Sequence, residues 1–316
     1  MPASTIVITG ASGFIGSTLA ERLAARRPDC RIVGIARHPG PLATLAAPNV
    51  EWVAGDLLVP DATARWPRRA DTVIHLAADK RPRVPPADSS RQVAVNVLGT
   101  SVVADYVAAA GARTVIFASS SAVYSGSCRV PFVEDDVPLP LEHLGATKLA
   151  AEGLLKARAM AGQFTAVALR LFTTYGPRSS PEQFVPEAMA KLLSADPVAR
   201  FEHPDAERDF VFVEDVVTAF LAALELAPRA EPFEVFNVGS GQRVSVRVVV
   251  EVLQQLLGTH KPVRYAVASP GVMDPCHQAD THRAASRLGW RATVGLEEGL
   301  RRTIEALRPQ DVAASA

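Results

Sequence analysis

Short apolar runs alternate with longer stretches of helical periodicity over the first half of the chain. The apolar runs have the length and the β-branched content of buried strands, and they lie at 6–8, 31–36, 50–54, 72–76, 114–118 and 166–171. Helical stretches lie between them at 17–26, 89–110 and 145–161. This alternation predicts an α/β fold, a Rossmann-type doubly wound parallel sheet with right-handed crossovers.

The regular alternation stops after the sixth predicted strand. Residues 173–205 and 265–280 are irregular and rich in proline, which predicts a smaller C-terminal lobe for binding a substrate. The run at 233–238 has strand character and is expected to return to the main sheet. The predicted organisation is a nucleotide-binding domain at 1–172, partly rejoined by 206–264, and a substrate lobe formed by 173–205 and 265–316.

A glycine-rich loop with the sequence TGASGFIG joins the first predicted strand to the first helix. Gly10 permits a tight turn, Gly13 lets a pyrophosphate approach the backbone, and Gly16 lets the helix pack against the strand. Free amides and the positive end of the helix then face the phosphates. The spacing is G-x-x-G-x-x-G rather than G-x-G-x-x-G, but its position directly after a strand favours a dinucleotide site.

Charge and cysteine content narrow the possible partners. The chain of 316 residues balances 33 basic against 33 acidic residues, so no net positive field favours nucleic acid or an anionic membrane. Three dispersed cysteines are too few for a disulfide framework or a zinc site. No apolar run reaches about 18 residues and no signal-like lead is present, which predicts a cytoplasmic protein without a metal.

The motifs, taken in order, resemble those of the extended short-chain dehydrogenase/reductase family, the NAD(P)-dependent epimerase/dehydratase group that includes many nucleotide-sugar enzymes. The resemblance covers nearly the whole chain. It is carried by TGASGFIG, GDL at 55–57, HLAA at 75–78, NVLGT at 96–100, SSSAVY at 119–124, GATKLAAE at 145–152, LRLFTTYGP at 169–177, RDFVFVEDV at 208–216, FNVGSG at 236–241 and LGW at 288–290.

The resemblance implies a set of cofactor contacts. Asp56 would bind the adenine amino group, and Lys148 would hold the nicotinamide ribose hydroxyls with its three donors. Asn96 would either support the helix beside the site or cap a buried turn. The remaining implied contacts are Gly10, Ser12, Gly13, Phe14, Ile15, Gly16, Leu57, Leu76, Ala77 and Ala78.

The resemblance also implies a serine that polarises the reacting oxygen. Ser120 stands four residues before Tyr124, which is the offset that the family uses. Ser119 and Ser121 are neighbouring alternatives. Each of the three serines could instead be a strand-end hydroxyl that bonds the backbone.

The sequence departs from the family at the catalytic tyrosine, since Leu144 stands four residues before Lys148. Leucine cannot exchange the proton that accompanies hydride transfer. His143, Tyr124 or a proton carried by the substrate or by water could replace the phenol. In a regular helix, however, His143 lies about 140° around from Lys148, and Leu144 only about 40°.

A second departure concerns substrate binding. Thr173 replaces the asparagine that follows the sixth strand in the family, and the segment SPGVMD at 269–274 lacks an expected arginine. Arg208 could grip a phosphate or carboxylate bidentately, or pair with a neighbour such as Asp209 or Glu207. Three further candidates for substrate binding are Arg178, His277 and His282.

Cofactor choice depends on the residues after the second strand. The position 20 residues beyond Gly16 is Ala36, followed by Arg37 and His38, where an NAD site would carry a carboxylate. A guanidinium without that carboxylate favours NADP, with NAD possible. Arg37 stacked on the adenine is the alternative.

Three functions follow from these observations. The first is an NAD(P)-dependent oxidoreductase or epimerase acting on a keto or hydroxyl carbon of a sugar nucleotide or a related polar metabolite. The second is a family member that catalyses a step needing no phenol, such as cyclisation, dehydration or elimination. The third is a non-catalytic NADP-binding protein. The resemblance also predicts a homodimer that pairs through the helices at 89–110 and 145–161.

Overall fold

The structure is a computed structural model, and it describes residues 4–40, 45, 47–81, 89–126, 129–227, 231–266 and 276–307. The sequence prediction about the segment at 269–274 and the thiol of Cys128 lie outside these residues. In the first half of the chain the elements are β1 (Thr5–Thr9), α1 (Phe14–Arg26), β2 (Arg31–Ala36), β3 (Val50–Ala54), β4 (Thr72–His75), α2 (Ser89–Val93), α3 (Gly99–Ala109), β5 (Thr114–Ser120) and α4 (His143–Met160).

The second half begins with the last strand of the predicted alternation and continues into the lobe. Its elements are β6 (Thr165–Leu171), β7 (Thr173–Tyr175), α5 (Phe184–Leu193), β8 (Ala199–Glu202), β9 (Glu207–Phe212), α6 (Val213–Leu226), β10 (Phe233–Val238), β11 (Arg243–Ser245), α7 (Val246–Leu257), β12 (Val263–Ala266) and α8 (Leu296–Leu307).

The main sheet has seven strands in the order β10-β6-β5-β4-β1-β2-β3, and every pair is parallel. The predicted Rossmann-type fold is therefore confirmed. The run at 233–238 is β10, which pairs with β6 at the edge of the sheet, as expected. Because all strands are parallel, their carboxyl ends and the loops that follow them share one edge.

Both faces of the sheet are covered by helices, as the continuous apolar strands require. In β1, Ile6 and Ile8 pack on the side of α1 and α6, whereas Val7 packs on the side of α3 and α4. This alternation follows from the period of two in a strand. The sheet therefore holds its carboxyl edge in a rigid position, and that edge carries the predicted site.

The first helix begins at Phe14, three residues earlier than the helical pattern alone indicated. Gly13 is its extended N-cap, so the glycine loop is shorter than the motif suggests. Gly10 has φ +70°, and a Cβ there would lie 2.6 Å from the backbone nitrogen of Ala77. A Cβ on Gly16 would lie 2.3 Å from the carbonyl oxygen of Gly10. The tight turn and the close packing assigned to these two glycines are both present.

The helix predicted at 89–110 is interrupted by a single π-helical turn at Ala94–Leu98, between α2 and α3. Such turns insert a wider ring into an α-helix and often occur at functional sites. By length and composition, Ser89–Ala109 also has enough apolar character to cross a membrane, but 44% of its most apolar window is buried in the protein. It packs against α4 and the sheet, as a core helix does.

The lobe is built around two small sheets, β11-β9-β7 and β12-β8. Helices α5, α7 and α8 pack with them in one apolar cluster. Of the segment at 206–264, α6 and β10 lie with the main sheet, while β9, β11, α7 and β12 belong to the lobe. The chain thus crosses between the two parts several times.

Candidate active site

A cavity of about 980 Å³ lies at the carboxyl edge of the main sheet, between the sheet and the lobe. The nucleotide-binding candidates that line it are Gly10, Ser12, Gly13, Phe14, Ile15, Gly16, Arg37, His38, Asp56, Leu57, Leu76, Ala77, Ala78 and Lys148. Ser120, Ser121, Leu144 and Thr173 also line it. The structure thus brings together most of the residues that the sequence singled out.

The amino end of α1 is open to this cavity and carries no negative charge. The first turn has no acidic residue, and no side chain caps it. Unpaired amides and the helix dipole therefore remain available for an anion. Arg37 and His38 follow the last residue of β2 and are exposed at the same cavity. These features fit the pyrophosphate and adenosine parts of a dinucleotide.

The end of β5 holds three serines in different environments. Ser119 is buried and donates a short hydrogen bond to Oε1 of Glu152. Ser120 Oγ accepts a hydrogen bond of 3.2 Å from the amide of Ala122 and so caps the 3₁₀ turn that follows. The hydroxyl hydrogen of Ser120 stays available at the cavity. Ser119 therefore has a structural partner, whereas Ser120 can still act as a donor to a ligand.

Lys148 reaches the cavity from the second turn of α4. Its Nζ donates to the carbonyl oxygen of Ala118 at 2.6 Å and lies 4.7 Å from the ring centre of Phe117. Only 5% of the residue is exposed. Burial lowers the pKa of Lys148 to about 7, the positive charge of Lys80 lowers it further, and Glu152 opposes both.

Leu144 lines the cavity one helical turn before Lys148, at the position expected for the phenol. His143 is the first residue of α4 and is exposed, and it does not line the cavity. The helix is regular from its first residue, so nothing turns the imidazole inward. The suggestion that His143 replaces the missing tyrosine is therefore not supported by its position.

Tyr124 is also unsuited to proton exchange with a ligand. It is fully buried away from the cavity, where its hydroxyl donates to Oδ1 of Asn237 at 3.0 Å and accepts from Arg170 at 2.6 Å. Burial raises the pKa of Tyr124 to about 12. Its aromatic ring stacks on Phe132 at 4.9 Å. Tyr124 therefore has a structural role, in which it connects Asn237, Arg170 and Phe132 in the core behind β5.

Asn96 lies in the π-helical turn and is buried, and it does not line the cavity. Its side chain accepts from the amide of Asp79 at 2.8 Å and donates to the carbonyl of Asp79 at 2.9 Å. It also donates to Oγ1 of Thr147 on α4 at 3.0 Å. Asn96 thus connects Asp79 to α4, and both border the cavity. Its own side chain is not positioned to contact a cofactor there.

The substrate candidates separate into one that lines the cavity and four that do not. Thr173 lines it from the start of β7. Arg178 is exposed and pairs with Glu21 on α1, with its Nη2 at 2.8 Å. Arg208 lies on β9, two residues before the cavity-lining Phe210, and donates to the carbonyl of Glu207 at 3.0 Å. Because alternate residues of a strand share a face, Arg208 lies on the same face of β9 as Phe210. Unlike Phe210, it does not line the cavity.

The two histidines near the end of the chain are also outside the cavity lining. The His277 ring lies edge-on to Phe132, with ring centres 5.5 Å apart. His282 is exposed, and its amide donates to Oδ1 of Asp280 at 2.8 Å. Neither position brings an imidazole to the reacting end of the cavity.

Several charged residues of the cavity were missed by sequence reasoning. Lys80, Arg81 and Arg91 line it together with Asp79, which binds Arg81 through both oxygens and lies 3.6 Å from Arg91. The arginines lower the pKa of Asp79, mainly through the Arg81 hydrogen bond. The available signal was position, since 79–81 directly follow the HLAA motif at the end of β4.

A buried ion pair behind the serines was also missed. Arg170 on β6 binds both carboxylate oxygens of Glu152 on α4, at 3.0 and 2.8 Å, and both side chains are at most 5% exposed. Glu152 also accepts the hydrogen bond of Ser119. This pair ties β6, α4 and β5 together directly below Ser120 and Lys148.

The model of the NAD dependent epimerase/dehydratase family matches residues 6–239 of this chain. A dTDP-4-dehydro-6-deoxyglucose reductase from Escherichia coli is 26% identical over 96% of this chain and 97% of its own length. A UDP-glucose 4-epimerase from Mycolicibacterium smegmatis is 30% identical over 96% of this chain and 98% of its own length. The structure of MoeE5 in complex with UDP-glucuronic acid and NAD is 35% identical, with a TM-score of 0.84 and coverage of 96% and 99%.

Proposed function

The chain belongs to the NAD-dependent epimerase/dehydratase family of enzymes, and on that premise we propose that it acts with NADP on a keto or hydroxyl carbon of a nucleotide sugar. One observation carries this proposal. A single cavity joins the glycine loop and Arg37 at one end to Ser120, Lys148 and the polar wall of the lobe at the other. A cavity lined in this way suits a dinucleotide and a second nucleotide-linked ligand placed end to end.

In the proposed reaction the chain binds the oxygen on the reacting carbon of the substrate and positions the cofactor. A bound nicotinamide dinucleotide supplies the acceptor or donor of a hydride. Ser120 donates a hydrogen bond to the oxygen on the reacting carbon and so stabilises negative charge that develops there. Lys148 positions the nicotinamide ribose with the donors that Ala118 leaves available.

The nucleotide-sugar part of the proposal is supported by the lobe side of the cavity. Thr173, Ser179, Ser180 and Gln183 present neutral polar groups there, suited to the hydroxyls of a sugar. MoeE5 binds UDP-glucuronic acid and NAD, and the Escherichia coli relative is a reductase of a dTDP sugar. The nucleotides in these two names differ, so a screen for the substrate must cover several nucleotides.

The preference for NADP over NAD rests on Arg37 and His38. Both are exposed at the cavity directly after β2, and neither is a carboxylate that would repel a 2′-phosphate. Calorimetric titration should show tighter binding of NADP than of NAD, and Arg37→Ala should weaken NADP binding about tenfold or more while sparing NAD. Equal or tighter binding of NAD by the unmodified protein would contradict this preference.

An activity screen tests the catalytic proposal. The purified protein is incubated with oxidised or reduced NADP and a panel of UDP, dTDP and GDP sugars, while nicotinamide absorbance and the sugar products are followed. Ser120→Ala should lower turnover about a hundredfold or more, since it removes one oxyanion donor. Ser286→Ala, which alters an exposed hydroxyl far along the chain, is the matched control.

A second candidate is a step that needs no phenol, such as dehydration, cyclisation or elimination. Leu144 favours it, since the side chain at the phenol position is aliphatic and borders the cavity. The product analysis in the same screen separates this candidate, because a net non-redox product would form without a lasting change in nicotinamide absorbance. Binding of NADP without any product would instead indicate a non-catalytic binder.

We also propose that the enzyme pairs with a second copy through the two long helices. Large apolar side chains are exposed on α2, the π-helical turn and α4, among them Val93, Leu98, Leu154 and Met160. Leu98 is 60% exposed and Met160 65% exposed, and a second copy packed on these helices would bury both side chains. Sedimentation of a monomer at micromolar concentration would count against this pairing.

A further inference from the structure

The absence of a phenol raises the question of which group of this chain moves the proton at the reacting oxygen. Around Ser120, the described cavity wall offers few groups that exchange protons. Tyr124 is sealed in the core, His143 lies outside, and Asp79 is held by Arg81 and Arg91. Tyr175 lines the cavity but donates its hydroxyl to the carbonyl of Leu296 at 3.2 Å. His38 and Asp56 also line the cavity, but they follow β2 and β3, three and four strands away from β5 and Ser120. Glu182 is an exposed residue of the lobe wall. The amines of Lys148 and Lys80 are the other two titratable groups, and Lys148 is the one that shares a helix face with Leu144.

The contacts of Lys148 suit proton exchange. Within the described part of the chain its Nζ makes a single hydrogen bond, to the carbonyl of Ala118, and no ion pair. A neutral amine can keep that hydrogen bond, since it still has two N–H groups. Leu144 lies on the same helix face and lines the cavity with it, so the Lys148 amine borders the space that a phenol would otherwise fill.

Lys80 brings a second positive charge into the same cavity from the loop after β4. Its Nζ lies 5.6 Å from the ring centre of Phe14, and among the described residues it has no carboxylate partner. The residue is exposed to solvent, yet the cavity walls around its ammonium lower its pKa through desolvation. Two amines that share a partly desolvated cavity disfavour each other's protonation.

The other groups that face Lys148 do not neutralise it. Glu152, one turn further along α4, gives both of its oxygens to Arg170 and one to Ser119 as well. His75 on β4 is fully buried between Thr9 and Thr100, and burial lowers its pKa to about 3, so it stays uncharged. Thr147, next to Lys148 on α4, and its partner Asn96 in the π-helical turn are neutral. Lys80 is therefore the principal cavity charge acting on Lys148.

We propose that the Lys148 amine is the proton donor and acceptor of this site, in place of a phenol, and that Lys80 is the positioning residue that keeps it partly neutral. When a substrate hydroxyl becomes a carbonyl, its O–H bond breaks and that electron pair forms the new C=O bond, while the hydride on the carbon would pass to the oxidised dinucleotide of the proposed function. The lone pair of Lys148 Nζ takes the proton and forms a new N–H bond. In the reverse direction the ammonium returns that proton to the oxygen. The proton step balances without a further reagent.

This inference rests on the proposed function for its substrate, but the proton affinity of Lys148 can be measured without cofactor or substrate. The chain has five lysines, so carbon-13 labelled lysine gives few side-chain signals and single Lys→Arg variants assign them. The Cε shift of Lys148 is followed against pH in the whole, cofactor-free protein. We expect a midpoint near neutral pH, well below that of the exposed Lys156.

Variants at the exposed Lys80 test the coupling. Lys80→Met should raise the Lys148 midpoint by about one pH unit, because one like charge is removed from a partly desolvated cavity. Lys80→Arg keeps the charge and should leave the midpoint low. The lower limb of the pH profile of kcat/KM should move in the same direction by the same amount, a shift that a merely structural role would not produce.

The outcomes separate the inference from the proposed function. A Lys148 midpoint in the ordinary lysine range, or one unmoved in Lys80→Met, would overturn the inference and leave the proposed function standing. A low midpoint with a pH profile that does not follow it would also overturn the proton role. Failure of the protein to bind NADP and every nucleotide sugar by calorimetry would overturn the proposed function itself, and the proton role with it.

Discussion

Burial of the Lys148 amine lowers the free energy of unfolding of the protein. Its pKa in the folded chain is lowered to about 7, whereas an unfolded chain binds the same proton up to about pH 10.4. Between these values the unfolded state holds the additional proton, so the free energy of unfolding rises with pH. Below about pH 7 both states hold the proton, and the folded state bears the full cost of a buried charge.

Replacing this lysine should therefore stabilise the protein near neutral pH. Lys148→Met should raise the melting temperature at pH 7 by about 5 °C and flatten the rise in stability between pH 7 and 10. Lys156→Met, at an exposed position on the same helix, is the control and should change little. Thermal unfolding across this pH range is the measurement, and a loss of stability at neutral pH in Lys148→Met would contradict the account.

Leu144 offers a second test at the scale of one side chain. Leu144→Tyr restores a phenol one turn before Lys148, and Leu144→Phe adds the same ring without the hydroxyl. If proton exchange limits turnover, the tyrosine variant should exceed the phenylalanine variant by about a hundredfold, as expected for a positioned general acid. Steady-state turnover on the identified substrate measures this. An equal decrease in turnover in Leu144→Tyr and Leu144→Phe would indicate that the reaction does not use a phenol.

Individual site residues were predictable where a motif fixed both position and direction. Ser120 and Lys148 line the cavity because strand ends and helix faces follow regular geometry. Tyr124 and Arg178 were not placed correctly, because their contacts with Asn237 and Glu21 join segments far apart in the sequence. Lys80 was overlooked although it directly follows the HLAA motif, because that motif marks the loop after β4 and not the individual residues of the loop that reach the cavity.

At the scale of elements, the buried pair between α4 and β6 is the strongest link beneath the site. Arg170→Met leaves the Glu152 carboxylate buried without its cation, and this should cost about 3–5 kcal/mol of unfolding free energy. Arg158→Met removes a pair with Asp105, which is 68% exposed, and should cost less than about 1 kcal/mol. Denaturant unfolding measures the free energy of unfolding of both variants. Similar losses in Arg170→Met and Arg158→Met would contradict the claim that burial makes the Arg170–Glu152 pair the more important one.

The sequence located β2 and β3 to the residue because turn-forming residues border each apolar run. It placed the start of α1 at residue 17, since the glycines hide the first turn from any hydrophobic period. The π-helical turn at Ala94–Leu98 could not be predicted, because a shift in hydrogen bonding leaves the apolar pattern nearly unchanged. Its role becomes visible only when Asn96 is seen to join Asp79 to Thr147.

At the scale of the whole molecule, the exposed apolar side chains of the long helices predict self-association. Leu98→Glu places a charge at a position that is 60% exposed in one copy, so the monomer should fold with little change in stability. In a dimer that buries this position, the same change should weaken association about a hundredfold or more. Sedimentation velocity distinguishes the folded monomer from the dimer. Val248→Glu, on α7 and 42% exposed, is the control, and equal effects of the two variants would contradict the assignment of the interface.

The cavity itself is also a property of the whole molecule, since the main sheet and the lobe each supply one wall. Thr173 and Phe210 from the lobe face Ser120 and the glycine loop from the sheet. The sequence predicted both parts and the return of β10 to the main sheet, but not that α6 packs on that sheet while β9, β11, α7 and β12 belong to the lobe. That division depends on packing between distant segments, and no local pattern encodes it.

The most direct test of the central claim is product formation from a nucleotide sugar by the purified protein with NADP, followed together with nicotinamide absorbance. We expect one member of the UDP, dTDP or GDP panel to be converted, with turnover lowered about a hundredfold or more in Ser120→Ala. Conversion that is unaffected in Ser120→Ala, or no conversion of any nucleotide sugar by protein that binds NADP, would contradict the account.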